Sequence, residues 1–308
     1  MEDFKPQNPA TRTPETKVIQ PAKILDGKEA TDLVESAESF VFANGDEVVA
    51  GTDLGIGGGK NKNEDRLLVV PGENFVAVID GIGGEPDGDL AAQVLAEEFQ
   101  KTPLDIKGAV GRAKLSMKEK GFFERTGACF ITARILENNK KKNLEVWQQG
   151  NCSVVIFSEK GIIKFKSEDD VFVNTLVKGG QITPDQALYN PRRNVVTSAV
   201  TIENTAEPKT YDLSSIDLEP GDKIFIMSDG ISDNLLPEEI WQAVEEMKTK
   251  EDAISAVSFI TSDRSYNRKK IIEETGGIQG RKEKGVYADG FKPEPKPDNR
   301  ALAIIEIK

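Results

Sequence analysis

The stretch Asn74-Phe75-Val76-Ala77-Val78-Ile79-Asp80-Gly81-Ile82-Gly83-Gly84 constrains this chain most. An apolar run ends abruptly in an aspartate, and glycines follow at once. The length and β-branched content of Phe75 to Ile79 predict a strand buried on both faces. Asp80 then stands where that strand leaves the core. Glycines at 81, 83 and 84 let the backbone bend sharply and approach a small ligand closely. Leu90-Ala91-Ala92 and Val94-Leu95 repeat at helical spacing, which predicts a helix from near Asp89. A carboxylate fixed at a strand end beside a glycine turn suits a hard metal ion. It equally suits a strand-turn-helix junction with an ordinary capping aspartate.

The pattern recurs. Lys223-Ile224-Phe225-Ile226-Met227-Ser228 reads as a second buried strand and also ends in Asp229-Gly230. Asp298-Asn299 precedes a third apolar run, Ala301 to Ile305, so a carboxylate stands at the start of that strand. Glu64-Asp65 precedes Leu67 to Val70, and adjacent residues entering a strand point to opposite faces, so one carboxylate faces inward and the other outward. Asp53-Leu54-Gly55-Ile56-Gly57-Gly58-Gly59-Lys60 is only loosely like a phosphate loop, because Leu54 stands where a Walker motif needs glycine and Asn61 where it needs Ser or Thr.

Composition excludes several chemistries. The chain has no histidine, which removes histidine triads, imidazole zinc sites and histidine phosphotransfer. Its two cysteines, Cys129 and Cys152, make neither a disulfide framework nor a zinc site, and their apolar surroundings predict buried reduced thiols. A net charge of -12 argues against a nucleic-acid partner. No run approaches the ~20 apolar residues of a membrane span. The first residues do not have the pattern of a signal peptide, so a cytoplasmic location is expected.

Along the chain, residues 1–25 hold Pro6, Pro9, Pro14 and Pro21 among polar residues and are expected to form a flexible tail. Residues 26–308 are expected to form a single domain. A second helix is expected at about 107–120. Strands are expected at about 128–136, 144–149, 154–157 and 162–165, separated by hairpin-type turns, which implies antiparallel sheet. The long connection over 168–210 carries a helical segment near 171–177 and the basic spot Asn190-Pro191-Arg192-Arg193-Asn194. Helices are expected at about 238–248 and 250–262, and a polar, Gly- and Pro-rich insertion at about 263–297.

The order Asn63-Glu64-Asp65, Asp80-Gly81-x-Gly83-Gly84, Gly150-Asn151, Ser228-Asp229-Gly230 and Asp298-Asn299 resembles the PPM/PP2C family of metal-dependent Ser/Thr protein phosphatases, in its bacterial form. The resemblance runs from about Glu47 to Ile307 and includes Asn190 to Thr197. It implies an α+β fold, a PP2C-like β-sandwich of two antiparallel sheets flanked by α-helices in four layers, α/β/β/α. By position, Asp80 would bridge two Mn²⁺ or Mg²⁺ ions, and Asp229 and Asp298 would complete the protein ligands of the first. The Gly81 carbonyl and Glu64 would serve the second, and Asp65 and Asn299 would stand behind the ligands. All-oxygen donors suit hard divalent cations. Two ions ~4 Å apart would activate a hydroxide for in-line attack on a phosphoserine or phosphothreonine ester of a protein substrate, with no covalent enzyme intermediate.

Three positions depart from that family's pattern. Lys60 stands where an arginine usually grips the phosphate, a point charge in place of a planar fork. Lys62, Arg192 and Arg193 are further cations that could assist. Ile82 follows Asp80-Gly81, so no side chain there can donate a proton and water must protonate the leaving group. Asn151 replaces the aspartate able to hold a third ion, and a neutral amide is a poorer cation ligand. Lys60 and Asn151 also allow a second reading, a pseudophosphatase acting as a regulatory binding module. Retention of Glu64, Asp80, Asp229 and Asp298 argues for turnover, since unpaired buried charge is costly. Replacing Lys60 by Arg is expected to lower the Michaelis constant for a phosphate ester; an unchanged constant places the phosphate elsewhere.

Overall fold

The computed structural model describes residues 19–27, 36–55, 62–82, 87–139, 141–183, 186–187, 190, 192–245, 254, 257 and 298–308. Strands β1 (Lys23–Leu25), β2 (Glu38–Val41), β3 (Glu47–Asp53), β4 (Asp65–Val70) and β5 (Phe75–Gly81) lead into helices α1 (Gly88–Lys101) and α2 (Ile106–Glu119). There follow β6 (Gly127–Asn138), β7 (Lys141–Gln149), β8 (Ser153–Phe157), β9 (Ile163–Lys166) and α3 (Phe172–Lys178). After the short strands β10 (Val200–Thr201) and β11 (Lys209–Thr210) come β12 (Lys223–Met227), α4 (Asp229–Ser232), α5 (Pro237–Glu245) and β13 (Arg300–Glu306).

The strands make two sheets, and every pairing between these named strands is antiparallel. The first has the order β1-β4-β5-β6-β7-β11, with β10 also on β6. The second has the order β2-β3-β13-β12-β8-β9. β13, the last strand in sequence, lies inside the second sheet, between β3 and β12.

Side-chain alternation explains the layering. Along β5, Val76 and Val78 face the second sheet, where they meet Ala50, Val154, Ile226 and Ala303 in one core. Phe75, Ala77 and Ile79 face the other way, onto Ala91, Leu95 and Phe99 of α1 and Ala113 of α2. A third core lies beneath the second sheet, where Phe157, Phe225 and Leu302 pack on Ile231 of α4 and Ile240 and Val244 of α5. The result is the expected α/β/β/α arrangement of four layers. β5 is buried on both faces although its sheet is antiparallel, because helices cover one side and the second sheet the other.

The sheet starts inside the stretch expected as a tail. Lys23–Leu25 pair with Leu67–Val69, and Leu25 is buried in the core between the sheets. Three residues are too few to carry a strand signal in the sequence. Residues 1–18 lie outside the described residues, as does the insertion expected at 263–297. Of the helix expected at 250–262, Ile254 and Val257 are described, both helical and buried. Cys129 and Cys152 are buried thiols outside any disulfide, as expected. No described helix is long and apolar enough to cross a membrane.

Phe130 on β6 packs edge-on against Phe99 of α1, with ring centroids 5.0 Å apart. Phe130→Ala is expected to destabilise the fold by about 3–5 kcal/mol, read as a lowered urea midpoint at unchanged slope.

Candidate active site at the joined ends of the two sheets

The alternation that builds the core also aims the acidic side chains. Asp65 has the parity of Leu67 and Val69, and Asp80 that of Val76 and Val78, all of which face the gap between the sheets. The two aspartates are directly opposite each other across β4 and β5, and Asp80 is in turn opposite Cys129 on β6. Residues directly opposite in an antiparallel pair share a face, and like charges so placed repel. Strand register thus brings two carboxylates together at the end of the inter-sheet core.

The second sheet contributes from the other side of the gap. Ser228 follows β12 with the parity of Ile224 and Ile226, and it is fully buried. Its hydroxyl donates to Asp65 Oδ2 (2.7 Å) and accepts from the Ala301 N–H (2.9 Å). One hydroxyl therefore ties β12, β13 and β4. Asn299 does the same from the start of β13. Its Oδ1 accepts from the Glu64 N–H (3.0 Å), and its Nδ2 donates to the carbonyls of Leu54 (3.1 Å) and Lys62 (3.3 Å). The Asn299 N–H is held by Asp298 Oδ1 (2.9 Å). On the first sheet, the Gly81 N–H donates to the Glu64 carbonyl (3.1 Å).

Close backbone approach completes the junction. A Cβ on Gly230 would lie 1.9 Å from the Asn299 carbonyl oxygen, so glycine lets Asp229-Gly230 press against Asp298-Asn299. Gly55, at a φ of +68°, lies against the Asp298 carbonyl in the same way. Beneath it Arg300 and Asp53 form a buried pair across β13 and β3, with Nε donating to Asp53 Oδ1 at 2.9 Å. The sequence-predicted residues Glu64, Asp65, Asp80, Gly81, Asp229, Asp298 and Asn299 thus sit on segments that are joined to one another at one end of the sandwich. Lys60 lies outside the described residues.

The charge of this end is felt by its neighbours. Cys152 is buried, and burial first, then the carboxylates of Asp80, Asp65 and Asp229 together with Cys129, push its thiol well above its ordinary pKa. Three aspartates from three strand ends therefore bear on one buried atom. Asp229 is itself buried, and its Oδ2 accepts from Asn151 Nδ2 at 2.5 Å. Asn151 Oδ1 is buried with no hydrogen-bond partner among the described residues. Opposed carboxylates, oxygen-only donors and an orphaned amide oxygen match the needs of a hard divalent cation. In this arrangement no three described acidic side chains close on one point, and Asp229 is turned onto the Asn151 amide.

The other cations expected to help bind phosphate lie apart in their contacts. Lys62 is exposed and reaches Asp89 at 3.4 Å. Arg192 stacks over the Phe172 ring at 4.4 Å. Arg193 lines a cavity of about 420 Å³ bounded by β9, α3 and the turn after α4. The same cavity is lined by Asp169, whose carboxyl burial raises to about 7 against the hydrogen bond from Ser153. Sequence reasoning gave no role to Asp169, Ser228 or the Arg300–Asp53 pair. The adjacent acids Asp169-Asp170 at the start of an unusually long connection were the one available signal for the first.

No protein-family model matches the chain. It is 30% identical over 204 residues to the serine/threonine protein phosphatase PstP of Mycobacterium tuberculosis, covering 62% of this chain and 38% of that protein. The chain thus spans well under half the length of that relative. It is 26% identical over 203 residues to a 2C-type protein phosphatase of Streptococcus pyogenes, covering 60% of this chain and 79% of that one. Among solved structures, the catalytic domain of PstP in complex with two manganese ions superposes with a TM-score of 0.60 at 19% identity, over 84% of this chain and 96% of that one. This last likeness establishes the shared fold.

Asn299→Ala removes the acceptor of the Glu64 N–H and the donor to two carbonyls. It is expected to cost about 1–3 kcal/mol of stability, measured by urea unfolding. A loss within error of zero would mean that the two sheets are not clamped at this residue.

Proposed function

As a chain that belongs, by sequence and by fold, to the bacterial PPM/PP2C phosphatases, it presents its carboxylates where a divalent-metal centre is needed, and we propose that it hydrolyses phosphoserine and phosphothreonine esters of a protein substrate with two Mn²⁺ or Mg²⁺ ions. The support is one observation above all: Asp65 and Asp80 are opposed on the gap-facing side of the first sheet. Such a concentration of like charge is unfavourable without a cation. When bound, the ions would activate water and offset the charge of the phosphate oxygens.

The chain's own residues have distinct tasks in this reading. Asp80, Asp229 and Asp298 would hold the first ion, and Asp80, the Gly81 carbonyl and Glu64 the second. Asp229 Oδ2, which accepts from Asn151 Nδ2, would have to give up that hydrogen bond to serve as a ligand. Ser228 fixes Asp65, and Asn299 fixes the backbone of Glu64, so the donors are oriented before an ion arrives. Lys60 attracts the phosphate as a point charge. Ile82 offers no proton, which leaves that step to water. Asn151 is neutral and disfavours a third ion.

The single domain expected at 26–308 starts a little earlier in this reading, because β1 at Lys23–Leu25 pairs with β4. The two free buried thiols suit a reducing compartment such as the cytoplasm. The pseudophosphatase reading gains nothing from the comparisons, whose relatives bear phosphatase names.

Mn²⁺-dependent hydrolysis of p-nitrophenyl phosphate tests the proposal. Asp229→Asn is expected to lower kcat/KM on the order of 100-fold or more, and a chelator to abolish activity. No activity with or without metal overturns the enzyme reading. Activity that survives both chelator and substitution overturns the metal-dependent mechanism.

A further inference from the structure

The cavity between β9, α3 and the turn after α4 has no task in the chemistry just described. It holds about 420 Å³ and is bounded by the long connection on one side and by Ser232, Asp233 and Leu235 on the other. It lies close to the candidate site, because α4 begins at Asp229 and ends at Ser232, a single turn. The Asp233 N–H closes that turn on the Asp229 carbonyl at 2.9 Å.

The walls have two characters. Val171, Val173 and Val177 supply an apolar side. The polar side holds three carboxylates, Glu168, Asp169 and Asp233. Asp169 accepts a hydrogen bond at Oδ1, from Ser153 at 2.8 Å. Ser232 Oγ is buried and has no hydrogen-bond partner among the described residues. Two cations line the cavity: Arg193, which bonds Asn194 Oδ1 at 3.0 Å, and Lys166, which is exposed. Lys209 bonds Asp170 at 2.6 Å and Lys178 bonds Glu168 at 2.8 Å. Polar groups in such a setting call for a partner that donates hydrogen bonds. An apolar sleeve with an acceptor-rich end matches a long aliphatic stem carrying a positive head.

We propose that this cavity is a specificity subsite that takes a lysine or arginine side chain of the phosphoprotein substrate, with the stem on Val171 and Val173 and the cationic head at Asp169 and Ser232. This rests on the phosphatase reading and adds to it a substrate class: phosphoserine or phosphothreonine with a basic neighbour. One turn of helix separates the cavity from Asp229. An extended peptide advances ~3.3 Å per residue, so the basic residue lies within a few positions of the phosphorylated one. Charge supports the pairing, since a chain of net charge -12 attracts basic segments.

The test uses the full chain with Mn²⁺ and three probes. These are p-nitrophenyl phosphate, a phosphoserine heptapeptide with lysine two residues from the phosphoserine, and the same peptide with norleucine there. Norleucine keeps the stem and deletes the charge. The parent chain is expected to prefer the lysine peptide by about tenfold in kcat/KM, as befits a charge-assisted hydrogen bond. Asp169→Asn is expected to erase the preference through KM, with p-nitrophenyl phosphate turnover unchanged; that turnover also reports that the variant folds. Val177→Phe, which fills the cavity from α3, is expected to lower kcat/KM for the lysine peptide likewise.

Equal use of the two peptides by the parent chain, or a preference that persists in Asp169→Asn, overturns the subsite. If p-nitrophenyl phosphate is not hydrolysed at all, the phosphatase reading fails instead. Fluorescence anisotropy of the labelled peptides then judges the cavity alone. Lysine-dependent binding lost in Asp169→Asn supports it, and binding indifferent to lysine overturns it.

Discussion

The structure depends on holding like charges together at the end of a hydrophobic sandwich. Asp65 and Asp80 are opposed by strand register, and the Ser228 hydroxyl, next to Asp229 in sequence, reaches Asp65 from the other sheet. Repulsion of this kind would open the gap were the strand ends not cross-linked. Ser228 and Asn299 supply those links with neutral groups, each joining segments of both sheets. Neutral links add no further charge, and they leave the net negative potential intact for a cation. The buried Arg300–Asp53 pair acts behind them, fixing β13 against β3 at the point where Asp298 is delivered.

Glycine does the complementary work of bringing backbones close. At Gly230 and Gly55 a side chain would collide with the Asn299 and Asp298 carbonyls respectively. At 230 glycine is required because the neighbouring strand leaves no room for a methyl group.

Much of this was legible in the sequence, for identifiable reasons. β5, β12 and β13 are apolar runs with an aspartate at one end, and long enough for their type and boundary to be read. α1 carried helical spacing in Leu90-Ala91-Ala92 and Val94-Leu95. β1, β10 and β11 were not legible, since strands of two or three residues are set by the partner they meet and not by their own pattern. Asp53 was read within a loose phosphate loop. Its true partner, Arg300, is 247 positions away, and no local rule connects them. Asp169 was signalled only by its acidic neighbour Asp170, because its cavity is made by β9, α3 and the turn after α4, which only the tertiary fold brings together.

The position of β13 has a consequence for how such a molecule comes into being. β2 and β3 form one flank of the second sheet, β12, β8 and β9 the other, and the strand that unites them is the last in sequence. Before residue 300 is available, each flank presents a bare hydrogen-bonding edge to solvent. During synthesis on a ribosome the first sheet and its helices can assemble early, whereas the second stays split until its keystone emerges. Asp298 and Asn299 arrive with that keystone. The centre that would bind metal is thus completed in the same event that closes the fold, so a partly made chain carries most of the carboxylates but not the clamp that gathers them.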